Sequence, residues 1–103
     1  MMRVVKAKTI WMYAAKHPDS RGPLAEWLAS AKKAEWNSIQ DVRSNYPHAD
    51  AVTVASGRIT IIFNIKGNTY RLIVAIHFNR GLVFVLQFLT HAQYSKGMWK
   101  DQL

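Results

Sequence analysis

The chain has 103 residues, one domain's worth, and half of them are apolar, enough to supply a core. Fourteen Lys and Arg against six Asp and Glu leave a net charge of +8, which suits a polyanionic partner. The absence of cysteine excludes disulfide frameworks, thiolate zinc sites and a cysteine nucleophile.

In chain order, Arg3–Ala7 is a short basic, β-tolerant opening, with no uninterrupted apolar signal core around it. Thr9 is placed to cap a helix over Ile10–Lys16, which His17-Pro18 stops. Asp19–Gly22 then connects to a second helix entered at Pro23, whose Leu24, Trp27, Leu28 and Ala31 form one apolar stripe at i, i+3, i+4, i+7. Ser38, with Asp41 three residues on, predicts the cap of a short third helix ended by Tyr46-Pro47. Trp11, Trp27 and Trp36 read as core residues, and Trp99 as an anchor folding back from the C-terminus.

Beyond residue 50 the period changes. Arg58–Ile65, Thr69–Phe78 and Leu82–Thr90 are rich in Val, Ile, Phe and Leu and are joined by short glycine-containing turns, which predicts consecutive antiparallel hairpins, with Ala51–Val54 as a further strand and Thr90–Lys96 as a terminal helical turn. The fold class is α+β: N-terminal helices packed on one face of a small antiparallel sheet, the other face open, all within one domain spanning 1–103. Alternation puts Tyr70, Leu72, Val74, Ile76 and Phe78 on the helix side and Arg71, Ile73, Ala75 and His77 on the other. In the last strand Leu82, Phe84, Leu86 and Phe88 form one set and Val83, Val85, Gln87 and Leu89 the opposite one, so that Gln87 shares the face of Arg71. The apolar runs Leu72–Ile76 and Leu82–Leu86 are far below the ~20 residues that span a bilayer, and the chain reads as soluble and cytoplasmic, with no membrane partner.

The residues available for chemistry are unevenly distributed. Ala51–Lys100 holds Arg58, Lys66, Arg71, Arg80, Lys96 and Lys100 and not one Asp or Glu. Thr90 and Gln93 have capping-box spacing, which sets His91 in a first helical turn and Tyr94 three residues on, on the same face. A helix N-terminus attracts phosphate and favours a neutral imidazole, the form a general base requires. RNA cleavage by the substrate's own 2′-OH needs a base, a cation for the phosphorane and an acid for the leaving 5′-oxygen, with no metal. His91, Tyr94, Arg71 and Lys96 can meet that need, whereas a two-metal site requires carboxylates. A duller reading stands beside this one for each residue: His91 as a capped surface group, Tyr94 as packing on the sheet, Lys32-Lys33 as a solvated helix face.

Asn64-Ile65-Lys66-Gly67-Asn68-Thr69-Tyr70-Arg71-Leu72 followed by Phe88-Leu89-Thr90-His91-Ala92-Gln93-Tyr94, with Ala31–Trp36 and Tyr46–Asp50 ahead of them, resembles the HigB family of toxins in the RelE-like superfamily. The resemblance implies an endoribonuclease that cuts messenger RNA on the translating ribosome and is neutralised by a HigA-type helix-turn-helix antitoxin. Carried onto this chain, it implies catalytic roles for Arg71, His91 and Tyr94 and RNA-binding roles for supporting groups: Asn64, Gln87, Thr90 and Lys96, with Lys66 and Arg58 adding basic charge. Relatives often carry an acid at the position of Gln93 and another at that of Ser95. Two other readings fit the same residues: a non-catalytic RNA- or ribosome-binding module, and a degenerate toxin kept as a partner of its antitoxin.

Overall fold

Leu24, Trp27, Leu28 and Ala31, the stripe at helical spacing, are all buried on one face of a helix over Arg21–Lys33 in the computed structural model, which describes residues 1–103. It is α2 of five. Lys8–Lys16 forms α1 ahead of it, Ile39–Asn45 is α3, His91–Lys96 is α4 and Trp99–Gln102 is α5. The strands are Arg3–Val5 (β1), Asp50–Thr53 (β2), Ile59–Ile65 (β3), Tyr70–His77 (β4) and Leu82–Thr90 (β5), in the sheet order β1-β5-β4-β3-β2. No helix is long and apolar enough to cross a membrane.

The sheet is mixed rather than purely antiparallel. The meander β2–β5 pairs antiparallel as predicted, but β1 joins β5 in parallel, with Val4 opposite Val83. Three residues are too few to display a period, so the basic opening gave no sign of this partner. Two helix starts also move. Ala7, not Thr9, occupies the cap position of α1, and the carbonyls of Lys6 and Ala7 accept from the amides of Thr9 and Ile10 at 2.9 and 3.0 Å, so no side-chain cap is needed. A 3₁₀ turn over Pro18–Ser20 runs straight into α2 at Arg21, two residues before Pro23. Ser38 sits at the cap of α3 without bonding through its side chain; Asp41 instead accepts from the Asn37 amide at 2.8 Å.

One core unites Ile10, Ala14, Leu24, Trp27, Leu28, Ala31 and Val42 from α1, α2 and α3 with Phe63, Leu72, Val74, Val83 and Phe88 from the sheet. Phe63 is its aromatic hub: the rings of Trp27, Trp36 and Tyr46 lie 5.4, 6.0 and 5.1 Å away. Val83 and Val85 belong to this core, contrary to strict alternation along β5. A bulge explains the reversal. Ile73 pairs with Gln87 and Val74 with Val85, which leaves Leu86 as an extra residue and inverts every side chain before it. Gln87 and Leu89, beyond the bulge, keep their predicted place on the Arg71 face.

The second face is not left open. Trp99, 2 % exposed, packs there with Val54, Ile62 and Ile73, bordered by Leu86, Leu89, Tyr94 and Leu103. The C-terminal anchor predicted for Trp99 is thus present. Trp11 is the opposite case, 45 % exposed on α1, because the stripe that buries Ile10 and Ala14 turns it outward.

Phe63→Ala should therefore destabilise the fold by about 3–5 kcal/mol, whereas Trp11→Ala should stay within about 0.5 kcal/mol of the parent. Urea unfolding of the two variants checks the contrast.

Candidate functional site

The β3–β4 turn begins the site. Lys66 adopts a left-handed φ of 54° and Gly67 one of 60°, so the chain reverses within Lys66–Thr69 and delivers Tyr70 and Arg71 at the head of β4. Asp19, from the 3₁₀ turn before α2, holds that reversal. Its carboxylate accepts from Lys66 Nζ at 2.8 Å and from the Tyr70 hydroxyl at 2.7 Å. The Lys66 contact and the Tyr70 hydrogen bond keep the Asp19 carboxyl below its ordinary pKa, and the same Asp19 bond raises the Tyr70 phenol.

Arg71 is nearly buried, 9 % exposed, and no carboxylate lies within ion-pair distance of it. Two carbonyls take its place: Nη1 donates to Asn68 O at 3.0 Å and to Tyr70 O at 3.2 Å. Nη2 faces His91 Nδ1 at 3.3 Å. A guanidinium has donors only, so this contact makes Nδ1 the acceptor and puts the ring proton on Nε2. The guanidinium also lies over the Tyr94 ring, 5.4 Å from its centroid.

His91 and Tyr94 reach Arg71 because α4 starts where β5 ends. The capping box is complete: Gln93 N donates to Thr90 Oγ1 at 3.2 Å, and Thr90 N donates to Gln93 Oε1 at 3.0 Å. Gln93 performs this role as a neutral amide. The His91 amide donates across to Thr69 O at 3.0 Å, which pins the helix to the β3–β4 turn. Tyr94 stacks on Trp99 at 5.3 Å and 17°, and the Trp99 indole N–H donates to Tyr94 O at 3.1 Å. Burial first and the Asp50 charge second raise the Tyr94 phenol above its ordinary 10.0, against a lowering by Arg71, so it is protonated at neutral pH.

The predicted residues divide by place. Arg71, His91 and Tyr94 are in contact, with Thr90 as the cap beneath them and Asn64 directly opposite Arg71 across the β3–β4 ladder. Gln87 and Lys96 line a neighbouring cleft. Lys66 is engaged by Asp19. Arg58 lies six residues from Asn64 along the chain, roughly 20 Å at ~3.3 Å per residue, at the far end of the sheet. No three His, Cys, Asp or Glu side chains gather where they could hold a metal ion.

The family pattern described as HigB toxin, RelE-like toxic component of a toxin-antitoxin system, matches residues 20–97. The chain belongs to the HigB toxin family. Among curated proteins none matches it. Membership makes the chain the toxic half of a two-part system whose other half is an antitoxin, and the α+β fold with its mixed sheet is consistent with the RelE-like class.

Four residues around this HigB-family site escape a reading of the sequence. Asn68 and Tyr70 act through backbone carbonyls, which any residue possesses. Asp19 is 47 positions from Lys66, and no periodicity links them. Asp50, just outside the carboxylate-free half, reaches Tyr94 by its charge because β2 lies in the same sheet.

Because the folded Asp19 carboxyl is held below its ordinary value, the latch contributes stability above the ordinary carboxylate range and loses it as pH falls through the lowered value. Urea denaturation over an acid series should show the wild type more stable than Asp19→Asn at neutral pH, with the difference vanishing in acid.

Proposed function

We propose that the chain is a ribosome-dependent endoribonuclease that cuts messenger RNA without a metal ion, working in the cytoplasm as one domain over residues 1–103. The observation that carries this reading is a nearly buried guanidinium with no anionic partner, flanked by an imidazole and a protonated phenol. A buried cation left with carbonyl partners has a strong unfilled affinity for an anion, and arginine fits phosphate through two parallel N–H donors.

A scissile phosphate entering the site takes Nη2 of Arg71 away from His91. Nδ1 is then released as a base and removes the proton of the 2′-OH. The 2′-oxygen bonds to phosphorus as the bond to O5′ breaks, and Tyr94 gives its phenolic proton to O5′. The products are a 2′,3′-cyclic phosphate and a 5′-hydroxyl. Asn64, Thr90, Gln87 and Lys96, nearest the cluster, contact the RNA beside the cut, while Lys66, held by Asp19, and Arg58, at the far end of the sheet, add positive charge along its course. The partner is a HigA-type helix-turn-helix antitoxin whose acidic or amphipathic segment offsets the +8 charge.

Induction of the wild type without antitoxin should arrest growth and fragment messages; Arg71→Ala with His91→Gln should be harmless. On programmed ribosomes a single 2′-deoxy substitution at the cut should abolish cleavage there. Equal harmlessness of wild type and variant, with intact messages in both, would refute the reading in favour of a non-catalytic or degenerate toxin.

A further inference from the structure

Beside the Arg71–His91–Tyr94 cluster, on the same side of the sheet, lies a cleft of about 290 Å³. It begins at Leu89, the direct cross-strand partner of Arg71, and is floored by Trp99, whose ring stacks on Tyr94. Its polar lining consists of three amides, Gln87, Gln93 and Gln102, and one cation, Lys96, with no carboxylate. Met98, 64 % exposed, stands on the rim.

Each of these groups constrains the occupant. The volume lies at the small end for ligand pockets, enough for one ring system. The apolar floor and the thioether suit a flat face. Gln87 Nε2 donates to Gln102 Oε1 at 3.2 Å, so this amide pair is already linked edge to edge. That bond leaves Gln87 Oε1 free to accept and Gln102 Nε2 free to donate. An adjacent acceptor and donor complement the edge of a nucleobase, which presents a donor beside an acceptor. Gln93 is held in its cap, so Lys96 is the further donor available for a ring nitrogen, a carbonyl or the flanking phosphate.

We propose that this cleft receives one unstacked base of the RNA next to the bond held at Arg71, and that Gln87 and Gln102 read its edge. The inference rests on the RNA-cleaving reading of the neighbouring cluster. Met98 and Gln102 lie beyond residues 20–97, the stretch matched by the family pattern.

The test uses the labelled full chain and short single-stranded RNAs carrying 2′-O-methyl riboses, which bind without being cut. The oligonucleotides differ in one base, and one is abasic there. Side-chain amide signals of Gln87 and Gln102 and the Trp99 indole signal should move on titration. Affinity should vary among bases by roughly 5- to 150-fold, the range of one good bidentate contact. The abasic oligonucleotide should bind as weakly as the poorest base. Gln87→Ala with Gln102→Ala should flatten the preference while the Arg71 and His91 signals still respond. Movement confined to Arg71 and His91, an abasic oligonucleotide that binds like its parent, or no RNA binding at all would overturn the proposal. Base-dependent shifts in the cleft together with intact messages on ribosomes would instead sink the nuclease reading and leave the cleft standing.

Discussion

A guanidinium that is nearly buried without a carboxylate is the constraint around which this molecule is arranged. Removing a charge from water costs several kcal/mol unless hydrogen bonds replace the lost hydration. Arg71 obtains them from two carbonyls and an imidazole nitrogen. Those acceptors stabilise the cation without neutralising it, and its full charge remains uncompensated within the fold. An aspartate in the same place would form a tighter pair and a poorer anion site. The want of acids between Ala51 and Lys100 is thus a local electrostatic condition as much as a contribution to the overall +8.

The surrounding structure keeps those weak acceptors in position. Asp19 holds the turn that offers the Asn68 carbonyl, the Thr90–Gln93 box sets the angle of α4, and the Thr69 carbonyl binds the first amide of that helix. Behind Tyr94, Trp99 supplies an apolar wall, and Lys100 lies over its indole at 5.8 Å. Two stacked rings, Tyr94 and Trp99, therefore lie between two cations, Arg71 and Lys100. The neutral Gln93 makes the cap bonds that a glutamate would make and adds no negative charge near Arg71.

Much of this was legible from residue order. The α2 stripe, the three long strands and the capping box follow from period, spacing and side-chain type, which are local properties, whereas the grouping of Arg71 with His91 and Tyr94 comes from the needs of the chemistry and the family resemblance. What escaped depends on distant partners. The parallel seat of β1 requires β5, the Asp19 latch requires a turn 47 residues away, and the inversion of Val83 and Val85 requires a bulge that only strand pairing reveals. The burial of the second sheet face was half legible: Trp99 was expected to fold back, but a four-residue helix carrying Gln102 onto Gln87 leaves no periodic trace.

The pairing of β1 with β5 has a consequence for the order in which the molecule is made. Residues 3–5 find their sheet partner only when residues 82–84 exist, and such long-range closures form late in folding. Arg71, His91, Tyr94 and Trp99 all fall in the final third of the chain. A nascent copy still short of Trp99 lacks the wall that steadies Tyr94. The finished cluster is therefore assembled only once Trp99 has packed behind Tyr94, so the charge of Arg71 exists in the chain before the geometry around it is complete.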